Sequence, residues 1–147
     1  MGTGISGLDR GIEKTNQWLN DVCAAFDTED RAFGYRVLRA WLHVVRDMQP
    51  VDDAAHLAAQ LPELLRGVYY EGWRPAIAPI RRSRDLVVAE FASAAHVSRL
   101  EVPRILPALT TVAAGHLSPG TLDHALSHAN DGVQQLLHGA HAAPSGP

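Results

Sequence analysis

Two histidines near the carboxyl end have the spacing of a metal-binding pair. The chain has eight histidines, and His124 and His128 stand four positions apart, which on a helix places both imidazoles on one side. No third ligand accompanies them, because the side chain of Asp123 points about 100° away from that of His124 on an ideal helix. Exposed or capping histidines explain the pattern, so we predict no metal site. A metal- or pH-responsive pair is the alternative.

Basic residues recur along one side of a predicted long helix. Arg36, Arg39, His43 and Arg46 follow one another at steps of three, four and three, opposite the apolar side of that helix. A solvated surface paired with nearby acids is the simplest interpretation, and a docking surface for an acidic protein is the functional one. We take Arg36, Arg39 and Arg46 as candidate partner-binding residues.

A second basic group lies beside aromatic residues. Residues 74–84 contain arginines and no acid, and Tyr70 and Trp73 directly precede them. Rings next to positive charge can stack on single-stranded nucleic acid, but a net charge of −3 argues against that partner. Because Tyr, Trp and Arg also dominate protein interfaces, we take this group as the second candidate docking surface: Tyr70, Trp73, Arg74, Arg81, Arg82 and Arg84.

The other reactive residue types lack the surroundings that catalysis needs. Cys23 lies on the apolar side of a predicted helix, as a buried small hydrophobe does. The adjacent carboxylates Glu29-Asp30 and Asp52-Asp53 stand at predicted helix starts, where the helix dipole favours negative charge. We therefore predict no catalytic residue, no cofactor and no enzymatic activity, and leave open a site assembled only in three dimensions.

Length and composition are typical of one domain with a hydrophobic core. The chain has 147 residues, of which 46% are hydrophobic and 20% charged. A single cysteine excludes an intramolecular disulfide, and no apolar run reaches the roughly 18 residues that a membrane-spanning helix needs. We expect a bacterial cytoplasmic protein that neither enters a membrane nor binds nucleic acid.

Apolar residues recur at three- to four-residue spacings through most of the chain. This period predicts an all-α fold, a compact bundle of about eight helices. The helix from Thr28 to about Met48 carries the widest apolar face. The expected organisation is a single all-α domain, residues 1–147, made of a first helical unit (12–73), a basic linker (74–84), a second helical unit (85–139) and a disordered tail (140–147).

The two units resemble each other weakly. A shift of 69 positions lays apolar residues of the central helix on those of residues 106–119, although Leu38 then falls on Pro107. Near the ends a shift of 72 lays Leu64-Leu65-Arg66-Gly67 on Leu136-Leu137-His138-Gly139. An internal duplication, with two related halves packed face to face, is therefore a hypothesis.

Several motifs of the first unit resemble those of a bacterial family, domain of unknown function 2267. They are Trp18-Leu19, Tyr35-Arg36-Val37-Leu38-Arg39-Ala40, Val45-Arg46-Asp47, Leu57-Ala58-Ala59-Gln60-Leu61-Pro62 and Arg66-Gly67-Val68-Tyr69-Tyr70-Glu71-Gly72-Trp73. The resemblance implies an all-α protein with two related halves and a bacterial stress setting, and it implies no activity or cofactor. The second unit departs from the family pattern, because Ala129-Asn130-Asp131-Gly132 stands where a second Gln-Leu-Pro element is expected.

Together these residues favour binding over catalysis. We expect a non-enzymatic protein-interaction module, regulatory and stress-related, that presents the basic stripe or the Tyr70–Arg84 segment to a protein partner or to a second copy of itself. The alternative is a sensor of a small molecule or a metal, which would use a cavity between the halves or the carboxyl-terminal histidines.

Overall fold

Helices account for all the regular structure in the described part of the chain. The computed structural model describes residues 2–139, and no strand occurs among them. The predicted all-α bundle is confirmed, whereas the predicted tail at 140–147 lies outside the described residues. The helices are α1 (Ser6–Ala25), α2 (Arg31–Asp47), α3 (Val51–Ala58), α4 (Glu63–Tyr70), α5 (Arg84–Ala95), α6 (Val102–Ala114), α7 (Thr121–Leu126) and α8 (Asp131–His138).

Capping side chains determine where several helices begin. The Asp30 carboxylate accepts a hydrogen bond from the backbone N–H of Phe33 at 3.1 Å, and Ser83 and Asn130 cap α5 and α8 in the same way. The sequence predicted that α2 starts at Thr28. Its hydroxyl instead accepts from the N–H of Asp30 at 3.0 Å, so Thr28 shapes the preceding turn and the helix begins later.

The two halves of the chain share one order of helices and one packing pattern. The first half is α1–α4 and the second half is α5–α8. The linker between them, expected at residues 74–84, ends at Ser83 because α5 starts at Arg84, and it contains a 3-10 turn at Pro75–Ile77. α1 packs on α6 as α5 packs on α2, and α2 meets α6 as α3 meets α7. Exchanging the halves leaves these packed pairs unchanged, as a twofold relation between related units requires.

Burial gives the register of the two halves. α1 and α5 match at a shift of 69, because buried or half-buried apolar residues then coincide: Trp18, Val22, Cys23 and Phe26 with Val87, Phe91, Ala92 and Ala95. From α2 onward the matching shift is 68, which pairs Gly34, Leu38, Val45, Leu57, Leu65 and Tyr69 with Val102, Leu106, Ala113, Ala125, Val133 and Leu137.

Two predicted shifts are therefore wrong. The shift of 69 is one residue out in the central helices, which is why it placed buried Leu38 on half-buried Pro107 instead of on Leu106. The shift of 72 near the ends is four residues out, about one helical turn. A one-turn error preserves the apolar pattern while it misplaces every residue, so periodicity alone could not detect it.

A buried polar contact joins the central helices α2 and α6. The Trp41 side chain is fully buried, and its Nε1–H donates to Oγ1 of Thr110 at 3.1 Å. The Thr110 hydroxyl in turn donates to the carbonyl of Leu106 at 3.0 Å. The indole N–H thus has an acceptor, which a buried tryptophan usually requires.

The first two helices approach each other closely at a glycine. A Cβ at Gly34 would lie 2.8 Å from Sγ of Cys23, so only glycine fits between α1 and α2 at this point. Cys23 is buried, with 6% of its surface exposed, which confirms the prediction that it packs as a small hydrophobe.

We expect Thr110→Val to destabilise the protein by about 1–3 kcal/mol, because the buried N–H of Trp41 would lose its acceptor. Thr111→Val is a matched control, since exposed Thr111 makes the same kind of hydrogen bond to the carbonyl four residues before it. The control should change the free energy of unfolding by no more than about 0.5 kcal/mol. Denaturant titration followed by tryptophan fluorescence measures the free energy of unfolding of both variants. Equal losses of stability in the two would contradict a stabilising role for the Trp41–Thr110 hydrogen bond.

Candidate functional site

The basic stripe of α2 holds the end of α4 and is not one exposed surface. Arg46 is only 5% exposed, its Nε–H donates to Asp47 at 2.8 Å, and its Nη1 donates to the carbonyls of Tyr69 and Glu71 at 3.0 and 2.6 Å. Carbonyls at a helix end lack partners inside the helix and favour a cation beside them. The prediction that Arg46 belongs to an exposed stripe is therefore wrong.

The other stripe residues also bind within the chain. Nε of Arg36 donates to the Ala95 carbonyl at the end of α5 at 3.1 Å, and Nε of Arg39 donates to the Glu71 carboxylate at 2.8 Å. Arg36 is half-buried, and Arg39 keeps 36% of its side chain exposed. Hydrogen bonds within the chain thus hold the guanidinium groups of the stripe.

His43 completes this arrangement. Its Nε2 lies 2.7 Å from the carbonyl of Val68. Burial lowers the pKa of His43 below its usual 6.5, and the nearby guanidinium groups of Arg46 and Arg39 lower it further. A neutral ring that donates its Nε2 hydrogen to Val68 satisfies both observations.

Asp47 fastens the linker to the end of α2. Its carboxylate lies 3.2 Å from Nη1 of Arg82, and its backbone carbonyl accepts from the N–H of Ile80 at 2.7 Å. Arg82 also pairs with Glu90 at 3.1 Å, and its carbonyl accepts from the Asn130 amide at 3.0 Å. Arg82, one of the candidate partner-binding residues, is therefore occupied in fixing the linker between the two halves.

The rest of the linker group is more accessible. Arg74, Arg81 and Arg84 are exposed, whereas Tyr70 and Trp73 are half-buried with ring centroids 5.2 Å apart. The indole nitrogen of Trp73 is buried and makes no hydrogen bond to the part of the chain that the structure describes. Of the two rings, Tyr70 packs against the hydrophobic core.

Between the halves lies a cleft of about 250 Å³, which we call the inter-half cleft. Its walls come from the end of α2, the linker, α5 and the start of α8, and they are mostly apolar. The lining residues are Val44, Met48, Pro50, Pro79, Ile80, Arg81, Arg82, Val87, His128, Ala129, Asn130 and Val133.

Exchange of the halves maps this cleft onto a second depression of about 440 Å³. At the positions of Val87 and Met48 the depression has Trp18 and His116, whose rings stack at 4.6 Å. Nε2 of His116 also lies 2.7 Å from the carboxylate of Asp21. The depression has an aromatic and charged lining, whereas the inter-half cleft has aliphatic side chains at the matching positions.

A family model matches residues 15–136, and its description is "Uncharacterized conserved protein (DUF2267)". The chain belongs to the DUF2267 family. No curated protein matches this DUF2267 chain. Within residues 2–139, none of its helices combines the length and apolar character needed to cross a membrane.

The departure of this DUF2267 chain from its family pattern lies at the inter-half cleft. At the corrected shift of 68, His128-Ala129-Asn130 stands opposite Gln60-Leu61-Pro62. Gln60 joins the two halves, because its amide donates to the Thr121 hydroxyl at 2.8 Å and accepts from the N–H of Ser118 at 2.8 Å. The second half has His128 at this position.

His128 belongs to a cluster that the sequence did not reveal. Oδ2 of Asp53 lies 2.9 Å from Nε2 of His128 and 3.3 Å from Nε2 of His124. The two histidines do share a side, as predicted, with ring centroids 5.1 Å apart. The third group comes from α3 of the other half, where sequence reasoning had assigned Asp53 only to a favourable helix start.

We expect Arg46→Met to destabilise this DUF2267 protein by about 3 kcal/mol or more, because removal of one member of a buried ion pair leaves its partners uncompensated. Arg39→Met removes an exposed ion pair from the same helix face and should cost no more than about 1 kcal/mol. Urea titration measures the free energy of unfolding of both variants. A loss at Arg46 no larger than that at Arg39 would contradict its role in holding α4.

Proposed function

We propose that this protein is a binding module of the bacterial cytoplasm that takes a small organic anion with an apolar body into the inter-half cleft. The proposal rests on a difference between the side chains at two pairs of equivalent positions. Where the second depression has stacked Trp18 and His116, the inter-half cleft has Val87 and Met48. An apolar recess with a few polar groups at its edge is the usual form of a small-molecule site.

The polar groups at the edge of the cleft favour an anion. Arg82 is already neutralised by Asp47 and Glu90. Arg81 is exposed and makes no ion pair with a described residue. A guanidinium can donate two parallel hydrogen bonds to a carboxylate or a phosphate, so Arg81 is the group we expect to select the ligand charge.

A ligand bound in the inter-half cleft would stabilise the packing of the two halves against each other. One wall of the cleft belongs to α2 of the first half, and the facing walls belong to the linker, α5 and α8. A ligand that contacts all of them stabilises their docked arrangement by mass action. By this coupling between binding and the arrangement of the halves, the chain would sense the ligand without converting it chemically.

We expect octanoate to bind with a stoichiometry of one and to raise the melting temperature, as measured by isothermal titration calorimetry and circular dichroism. Val87→Trp should abolish binding, because it gives the cleft the residue that the first half has at Trp18. Leu86→Trp is the matched control, since it adds the same ring at a neighbouring exposed position and should bind as the wild type does. Unchanged binding by Val87→Trp would reject the cleft.

The charge of the ligand has its own test. Arg81→Gln should weaken octanoate binding by about tenfold, as expected for loss of a charge-assisted hydrogen bond of about 1.5 kcal/mol. Arg84→Gln removes an equal charge close by, at the start of α5, and should have little effect. 1-Octanol should bind the wild type and Arg81→Gln equally. Stronger binding of the alcohol than of the acid by the wild type would contradict an anionic ligand.

A second candidate function is docking of an acidic protein on the linker. It is favoured by one observation, the occurrence of exposed arginines next to exposed apolar side chains in one short stretch: Arg74, Ile77, Arg81, Arg84 and Leu86. Arginine is enriched at protein interfaces, and the buried core of an interface is more apolar than the rest of the surface. The α2 stripe is left out of this proposal because its guanidinium groups are held by hydrogen bonds within the chain.

If the linker mediates self-association, sedimentation velocity should show a dimer that the double variant Arg74→Glu, Arg84→Glu converts to a monomer. The paired arginine Arg39 provides the control, because Arg39→Glu changes the net charge on another face. A wild-type dimer that persists in the double variant would exclude the linker as its interface.

A further inference from the structure

We propose that Asp53, His124 and His128 form a binding site for a divalent transition-metal ion of the zinc class. The three side chains each offer one ligand atom, and these atoms all lie within 4.8 Å of one another. Two imidazoles and one carboxylate match the ligand preference of zinc and its neighbours, and do not match that of magnesium or calcium. This proposal replaces our prediction of no metal, which rested on the lack of a third ligand in sequence.

The distances fit an ion between the three groups. Zinc lies 2.0–2.2 Å from nitrogen and carboxylate ligands, so tetrahedral geometry separates two ligand atoms by about 3.4 Å. The Asp53 oxygen lies 3.3 Å from His124 Nε2 and 2.9 Å from His128 Nε2. Small side-chain rotations would therefore suffice to admit the ion.

The missing hydrogen bond at Nε2 of His128 favours a bound metal ion over a simple ion pair with Asp53. Its Nε2 is buried and makes no hydrogen bond with the described residues. The Asp53 oxygen is close enough, at 2.9 Å, but the two atoms do not have the directions of a hydrogen bond. A buried nitrogen without a partner carries a desolvation cost, which coordination of its lone pair to an ion would remove.

The positions related to these three by exchange of the halves show that the fold does not need these ligands. At the shift of 68, Thr121, His56 and Gln60 occupy the places of Asp53, His124 and His128. There the Gln60 side chain donates to the Thr121 hydroxyl at 2.8 Å and accepts from the N–H of Ser118 at 2.8 Å. An uncharged amide and hydroxyl are enough to connect the helices, so the carboxylate and second imidazole need another explanation.

The place of the site in the fold gives it a role. Asp53 belongs to the first half and both histidines to the second, so a bound ion would join the halves through α3 and α7. His128 also lines the inter-half cleft, whereas Asp53 and His124 line a neighbouring cavity of about 350 Å³. Because three protein ligands leave a fourth zinc position free, a water or an anion can complete the coordination.

The test uses full-length untagged protein and Zn²⁺, with affinity measured by competition against a chromogenic chelator. We expect one equivalent to bind, Mg²⁺ at millimolar concentration not to compete, and Co²⁺ to give the visible absorption of a tetrahedral site. Asp53→Asn, His124→Ala and His128→Ala should each weaken Zn²⁺ binding by more than about 100-fold, since loss even of an outer-shell partner costs 10–100-fold. Asp53→Asn preserves side-chain shape, and His124 is 60% exposed, so these variants should fold.

The equivalent set of residues, related to the site by exchange of the halves, provides the matched controls. His56→Ala removes the counterpart of His124 and should leave Zn²⁺ affinity within about threefold of the wild type. Gln60→His with Thr121→Asp should raise the stoichiometry from one to two by completing the equivalent set with His56. Zinc binding by the wild type no tighter than by Asp53→Asn, equal losses in His56→Ala and His124→Ala, or a folded double variant that still binds one ion would each overturn the proposal. None of these outcomes bears on octanoate binding.

Discussion

One buried guanidinium holds the first half of the bundle to the linker. Arg46 neutralises Asp47 and satisfies the carbonyls at the end of α4, and Asp47 then binds the linker through Arg82 and Ile80. A charge buried this deeply is tolerated only when its hydrogen bonds are satisfied. The position of α4 and the position of the cleft wall therefore depend on the same short network.

Around this network two similar halves have acquired different surfaces. Their helices share one order and one set of packed pairs, yet matching positions hold Trp18 and Val87, His116 and Met48, or Gln60 and His128. These exchanges change side-chain volume and charge without a change in the helix pairs. The small-anion proposal and the metal-ion proposal both rest on these differences between the halves and not on the shared fold.

Much of the fold could be predicted from the sequence, because burial of one side of each helix leaves a period of three to four residues. The all-α bundle of about eight helices and the burial of Cys23 followed from that pattern. The register did not, since a shift by one turn leaves the period intact. Arg46 was misplaced because charge suggests exposure, and only the structure shows a helix end beside it. Asp53 was missed because its partners lie in the other half.

The twofold arrangement has an evolutionary consequence. Each half supplies the structural support for the recess of the other, as α2 does for the cleft and α6 for its counterpart. A substitution in one recess therefore leaves the opposite one intact, and selection can alter either without rebuilding the scaffold. Each recess can thus differ in its lining while the order and the pairing of the helices stay the same.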